Sequence, residues 1–282
     1  MSYRLLDAGW SLGPPAAPGE RTPKFSPRDP ETDAGHCLCG PVHVRGAEPG
    51  MTLAVYVEAL RPGAWGWTAG GGWPHPINQY LGLTEQGVNV RWQLDPQRGT
   101  GTSDRGHRVA LRPFLGVMGL PPAEPGRHPT SPPRFCGGNI DCKELTVGST
   151  LFLPVTVPGA LFSAGDGHAR QGDGESSVTA IECPMERAVL RFELLPDLCL
   201  TTPRARTAEG WLTFGFDASL DRASLIALAA MVDLIQAEYG CERAYALALA
   251  SVVVDLRVTQ ICNGVQGVHA VLPDGAIERA ST

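Results

Sequence analysis

Between Pro133 and Glu182 the chain gathers Asn139, Asp141, Lys143, Asp166, His168, Gln171, Asp173, Glu175 and Glu182 within fifty residues. Glycines and apolar, strand-like runs separate these polar side chains. Carboxylates, an imidazole and carboxamides at this density suit a hydrolytic site with a metal better than a plain core. Asp166-Gly167-His168 is the sharpest feature. Residues i and i+2 of an extended chain point to the same side, so a carboxylate and an imidazole converge there. Oxygen and nitrogen donors at about 2 Å suit a divalent metal such as zinc. An Asp–His hydrogen bond in a structural turn has the same spacing.

Asn139-Ile140-Asp141 repeats the i, i+2 pattern with an amide and a carboxylate, and Lys143 continues it one step further. Gly137 and Gly138 let a substrate or another backbone approach closely. Lys143 is one of only two lysines, with Lys24. Beside Asp141 it would orient that carboxylate or stabilise developing negative charge; a surface lysine is the alternative. Gly172-Asp173-Gly174-Glu175 adds two carboxylates, which solvated turns also produce. His36 offers a ligand from the N-terminal half. Glu182 follows Thr179-Ala180-Ile181, an apolar setting that raises a carboxyl pKa and suits a general base or acid.

Other catalytic plans lack their residues. GxSxG is absent, so no α/β-hydrolase elbow is expected. Cys142 adjoins Lys143 and Glu144, whereas a nitrilase-like Cys-Glu-Lys set comes from distant segments. Neither GxGxxG nor GxxxxGK[ST] occurs between a strand and a helix.

The elements that must position these groups are mostly strands. Leu53, Val55 and Val57 alternate with polar or small neighbours after the turn Glu48-Pro49-Gly50, which predicts a half-buried strand. Val88–Leu94, Arg108–Gly119 and Arg187–Leu194 read as further strands, and Val252–Ile261 as a buried one. Gly50-Met51-Thr52-Leu53 and Gly148-Ser149-Thr150-Leu151 echo one another as strand openings. Residues 61–82, with Trp65, Trp67, Gly70-Gly71-Gly72, Trp73 and His75, read as a loop that either caps a pocket or is pinned to the surface. Six prolines between residues 121 and 134 mark a linker-like connection. Leu225, Leu228, Val232, Ile235 and Tyr239 share one helix face, with Ser219 as N-cap and Gly240 at the C-terminus; a second helix starts near Glu242.

The expected class is therefore mostly β (α+β): a jelly-roll-like β-sandwich with an added C-terminal α/β portion, about residues 200–282, containing a helical hairpin. One domain over residues 1–282 is expected, with 121–134 as the boundary if two β subdomains exist. A 282-residue chain buries a sizeable core, and 34 glycines and 25 prolines favour turns and short strands. A net charge of −6 disfavours nucleic-acid partners. No apolar run is long enough to span a membrane, and the first residues do not read as a signal peptide. Eight scattered cysteines without a CxxC pair are most simply free thiols of a cytoplasmic protein.

CGGNIDCKELTVGSTLFLPVTVPGALFSAGDGHARQGDGE resembles the signature region of the acetamidase/formamidase family. GHCLCGPVHVRGAEPGMTLAVYV is similar to that family's N-terminal block, and ALASVVVDLRVTQICNGVQGVHAVLP to its closing segment. The resemblance implies hydrolysis of formamide- or acetamide-like carboxamides to a carboxylate and ammonia. It implies a β-sandwich, an associated divalent metal (zinc, with calcium as the alternative) and a homo-oligomer of two or more copies. Its matching polar positions are His36, Asn139, Asp141, Lys143, Asp166, His168 and Glu182.

The resulting expectation has His36, Asp141, Asp166 and His168 around the metal and Glu182 as the base. Asp141 and Lys143 assist catalysis, while Asn139 and Gly138 bind substrate. The alternatives are an amidase for a larger or cyclic amide, or a non-catalytic metal-containing β-sandwich binding protein.

Overall fold

A computed structural model describes residues 1–16, 21–29 and 31–278. In chain order the strands are β1 (Ser2–Leu5), β2 (Leu38–Val42), β3 (Thr52–Pro62), β4 (Trp65–Gly71), β5 (Gly87–Asp95), β6 (Thr100–Ser103), β7 (Arg108–Ala110) and β8 (Phe114–Gly119). They continue with β9 (Gly137–Asn139), β10 (Thr150–Pro154), β11 (Phe162–His168), β12 (Met185–Leu195), β13 (Arg204–Thr207), β14 (Gly210–Asp217), β15 (Asp255–Gln260) and β16 (Gln266–Pro273). The helices are α1 (Pro76–Leu81), α2 (Leu220–Tyr239) and α3 (Arg243–Val253). An eight-stranded sheet runs β1-β12-β3-β10-β13-β14-β16-β15, and two four-stranded sheets run β2-β11-β8-β9 and β4-β5-β6-β7. The protein is mostly β with a C-terminal helical pair, the α+β class expected.

The main core lies between the large sheet and the β2-β11-β8-β9 sheet. Leu53, Val55, Leu151, Leu153 and Leu190 from one side meet Leu115, Met118 and Phe162 from the other. Phe162 and Phe192 close the gap edge to face, with ring centroids 5.0 Å apart. Each such side chain, taken fully out of water, contributes roughly 1.5–3 kcal/mol. The strand from Thr52 is buried on both faces at its start, Ala54 included, rather than half-buried. The echoing strands β3 and β10 are antiparallel neighbours with Val55 opposite Leu151. β8 and β9 pair directly across the proline-rich 121–134 connection.

Ser219 accepts from the Arg222 N–H to cap α2, and Gly240 ends it in a left-handed conformation. The face that α2 buries is made of Ala223, Ala227, Met231, Val232, Leu234 and Ile235; Leu225, expected on that face, is 64% exposed. Small residues win there because the helix lies almost on the sheet backbone. A Cβ on Gly215 of β14 would overlap the Ala223 carbonyl and reach within 2.6 Å of the Ala227 nitrogen.

Three further sequence expectations change. Residues 61–82 are not a loop: Trp65–Gly71 pairs with Gly87–Asp95 along its whole length, and Pro76–Leu81 is a short helix capped by His75. Backbone pairing outweighs the poor strand propensity of the glycines. The Arg108–Gly119 strand is broken at Leu111–Pro113, where proline removes a ladder donor. The strand expected from Val252 starts only at Asp255, because α3 runs on through Val253. Among the described residues no helix is long and apolar enough to cross a membrane.

Gly215→Ala is expected to prise α2 from the sheet and cost about 1–3 kcal/mol. A urea unfolding midpoint that stays where it was would show that the helix does not sit this close.

Candidate active site

Two strands bring the central groups together. β8 and β11 pair antiparallel, Leu115 opposite Gly167 and Val117 opposite Gly165, so Gly116 stands across from Asp166. A Cβ at Gly116 would fall 2.7 Å from Asp141 Oδ1 and 2.8 Å from His168 Cε1, and closer still to Asp166 Oδ2. Only hydrogen fits at the point where these three side chains meet. His168 Nε2 lies 3.3 Å from Asp166 Oδ1 and 3.4 Å from Glu182 Oε2. Asp141, Asp166 and His168 form one group whose ligand atoms share a radius suited to a metal ion, and His168, Glu175 and Glu182 form another.

The backbone is bent to achieve this. Asp141, Asp166 and Glu175 have φ of 55°, 58° and 45°. Left-handed residues other than glycine cost on the order of 1 kcal/mol each and cluster where function demands them. Asp166 makes that turn inside a strand, so its carboxylate and His168 converge through a distorted strand rather than a regular one.

Carboxamides brace the cluster. Gln171 Nε2 donates to the Asp141 carbonyl at 2.8 Å, which turns its Oε1 toward His168 Nδ1 at 3.0 Å. An oxygen there must receive the Nδ1 proton, leaving Nε2 aimed at the carboxylates. Asn263 Nδ2 donates to Asp141 Oδ2 at 2.9 Å. Asn139 Nδ2 donates to the Ser131 carbonyl at 3.0 Å, so Asn139 presents its oxygen to the site. Glu182 Oε1 accepts from the Ala180 N–H, while the Glu182 backbone bridges to Trp67 of β4 at 2.8 and 2.9 Å.

Among the described residues, five buried atoms of this cluster have no hydrogen-bond partner: Asn139 Oδ1, Asp141 Oδ1, Asp166 Oδ1, His168 Nε2 and Glu182 Oε2. Buried polar atoms are almost always paired, so five in one cluster call for an additional group. Four carboxylates, counting Glu175, face one fully buried imidazole, with that of His36 at the edge. Burial pushes Asp141 well above the usual carboxylate range, and Glu175 adds to it. Burial also raises Glu182, to about 7, against the opposing pull of His168. On His168, burial favours the neutral ring, but Glu182 and Asp166 outweigh it and hold its pKa high. Burial likewise pushes Asp166 up, and there His168 and His36 win and take it below its ordinary value. A divalent cation fits this surplus of negative charge and the unpaired donor set.

The cluster floors a pocket of about 260 Å³ lined by His36, Trp67, Ser131, Asn139, Asp166, Glu175, Glu182 and Asn263 among others. His36 stands in that lining, its Nε2 4.0 Å from Asp166 Oδ2 and its Nδ1 2.7 Å from Thr130 Oγ1. The expected Asn139, Asp141, Asp166, His168, Glu182 and His36 are thus brought together.

Lys143 and Gly138 are not. Lys143 pairs with Asp173 and lies 3.7 Å from Glu144 Oε1, away from the pocket. The strand ends at Asn139 and Asp141 turns left-handed, so the i, i+2 pattern does not extend to residue 143. Gly138, next to Asn139 on β9, borders a separate, mainly apolar cavity of about 380 Å³ with Val117, Leu120 and Thr130, because successive strand residues face opposite ways. Asn263 and Gly116 had drawn no attention in the sequence. Asn263 follows Cys262 in the closing segment, and Gly116 sits inside an apolar run; neither carries a spacing signal.

The fold and this site define a β-sandwich protein with a buried carboxylate–imidazole cage under a small pocket. A profile described as "Acetamidase/Formamidase family" matches residues 123–203. An acetamidase of Mycolicibacterium smegmatis is 31% identical over 52% of this chain and 50% of its own length. The chain spans about half the length of the curated relatives it matches. A crystal structure of an acetamidase from Yersinia enterocolitica superposes with a TM-score of 0.79 at 25% identity, over 98% of this chain and 83% of that one. One from Bacillus halodurans gives 0.82 at 23% identity, over 96% and 88%. The chain is thus similar to the acetamidase/formamidase family, through that profile over residues 123–203 and through these relatives.

Gly116→Ala is expected to spread Asp141, Asp166 and His168 and to lower affinity for added Zn²⁺ or Ca²⁺ by about 10- to 100-fold, the range that displaced ligand supports cause. Calorimetric titration checks it; wild-type affinity in a folded variant would mean that the three groups do not share one centre.

Proposed function

We propose that this protein is an amidohydrolase that cleaves small linear carboxamides such as formamide and acetamide to a carboxylate and ammonia, with a divalent metal, zinc before calcium. The observation that carries this reading is the convergence of five unpaired buried atoms beneath a 260 Å³ pocket. Relatives named acetamidase and formamidase support the substrate class. Asp141, Asp166 and His168 would hold the metal, with His36 completing the set from the pocket wall. When bound, such an ion polarises a carbonyl and makes water more acidic.

Glu182 is the general base. Its Oε1 is fixed by the Ala180 N–H, which leaves Oε2 free to take a proton from water and return it to the departing nitrogen. A carboxyl group held near 7 is matched to both transfers. Asn139 Oδ1, turned inward by Ser131, accepts an N–H of the substrate carboxamide and orients its leaving group. It does not hold the oxyanion, because its N–H₂ is committed elsewhere. Gln171 and Asn263 keep His168 and Asp141 in register.

The same reading places the protein in the cytoplasm as a homo-oligomer. All eight cysteines are free thiols, as a reducing compartment favours. Leu225 and Leu247, at 64% and 49% exposure on facing sides of the helical pair, supply an apolar patch for a second copy.

Ammonia release from formamide, acetamide and propionamide tests the activity, before and after chelation and zinc re-addition. Glu182→Gln is expected to lower kcat by about 10²–10⁴ with KM little changed. Asp166→Ala is expected to lose both metal and turnover while retaining its fold by circular dichroism. Metal-loaded, folded protein that releases no ammonia from any of the three would overturn the reading.

A further inference from the structure

A second cluster lies on the other side of the Asp141 loop. Cys142, Glu144 and His269 are each at most 1% exposed, and their ligand atoms all fall within 4.8 Å of one another. Cys142 Sγ is 3.2 Å from Glu144 Oε2, and His269 Nε2 is 3.7 Å from the same oxygen. Bonds of zinc length to sulfur, oxygen and nitrogen, set at tetrahedral angles, separate the ligands by about 3.6 Å (sulfur to oxygen) and about 3.4 Å (nitrogen to oxygen). The remaining ring nitrogen of His269 sits 2.8 Å from the buried Thr259 hydroxyl, the kind of second contact that orients a ligating imidazole.

Glu144 Oε1 and His269 Nε2 have no hydrogen-bond partner. The neighbouring cations do not fill that gap. Lys143 and Arg257 each stand 3.7 Å from Glu144 Oε1, beyond hydrogen-bond reach. Each is matched elsewhere, Lys143 by Asp173 and Arg257 by Glu209 at 2.7 Å. A carboxylate with no exposed side-chain surface and only a thiol as donor is poorly compensated.

We propose that Cys142, Glu144 and His269 form a second, closed metal site that takes Zn²⁺ or another borderline transition metal. A thiolate and an imidazole select such ions over Ca²⁺ or Mg²⁺. On binding, the Cys142 thiol gives its proton to solvent and the sulfur donates its electron pair to the ion. Glu144 Oε1 or a buried water takes the fourth position. Thr259 and His269 belong to β15 and β16, and Cys142 and Glu144 to the loop after β9, so the ion ties the Asp141 loop to the C-terminal strands.

The test uses protein produced in cobalt-supplemented medium, since a closed site loads during folding. Wild type is expected to show a thiolate-to-cobalt charge-transfer absorption, which the oxygen- and nitrogen-only pocket site cannot produce. Cys142→Ala and His269→Gln are expected to abolish or displace it and to lose one metal per chain by mass spectrometry. Asp166→Ala should retain the band. Cobalt-loaded wild type without the band, or a band of undiminished intensity in Cys142→Ala, would overturn the proposal, and the wild-type spectrum decides even if the variants do not fold.

Discussion

Negative charge without water is the constraint on which the site depends. Asp141, Asp166, Glu175 and Glu182 are all at most 6% exposed, and the one fully buried imidazole among them is that of His168. Removing a carboxylate from water costs several kcal/mol unless opposite charge or donors replace the solvent. Several unusual local features answer that demand. Three of the four carboxylates adopt left-handed backbone, Gly116 forgoes a side chain, and two carboxamides spend their N–H groups on Asp141. These are costs a plain core would not carry. A cation that balanced the carboxylates would offset those costs.

The sandwich supplies the rigidity that this arrangement requires. β8 and β11 form a buried pair whose other residues pack against β3, β10 and β12, so Asp166 and His168 stand on strands rather than on loops. The less regular parts are tied down by partners distant in sequence. The proline-rich connection ends in Thr130 and Ser131, which hold His36 and Asn139 respectively. Prolines limit the freedom of that connection before folding, so ordering it costs less. Trp67 fixes the Glu182 backbone from β4 and also donates to buried Asp7 at 3.0 Å. The pocket wall therefore comes from six separated stretches of chain, 8–9, 35–36, 67, 131–139, 166–182 and 263.

That division explains what could be read from the sequence. Asp166 and His168 were legible because two residues on one strand share a side, and the short Asp-Gly-His spacing survived the distortion at Asp166. The helical pair and its caps were legible because Ser219 and Gly240 act locally. Lys143 was misplaced because period-two logic was carried beyond the end of β9, through a residue with positive φ. The Trp65–His75 stretch read as a loop because its glycines lack strand propensity, yet pairing with β5 and with Glu182 is a tertiary fact. Asn263 lies 122 residues from the Asp141 it braces, and only folding brings such partners together.

The tetrapeptide Asp141-Cys142-Lys143-Glu144 shows how closely the two buried clusters are joined. Asp141 turns into the pocket site, Cys142 and Glu144 turn into the second cluster, and Lys143 reaches across to Asp173. Asp173 in turn lies two residues before Glu175, which lines the pocket, and two after Gln171, which braces His168 and Asp141. A shift of the second cluster therefore reaches Asp141 along the backbone and Gln171 and Glu175 through the Lys143–Asp173 pair. Both routes are short; the backbone route through Asp141 and Cys142 is buried, where close packing transmits displacement rather than absorbs it, and the Lys143–Asp173 pair is partly exposed. The pocket side chains thus inherit their positions from a neighbouring set of residues that never meets the substrate.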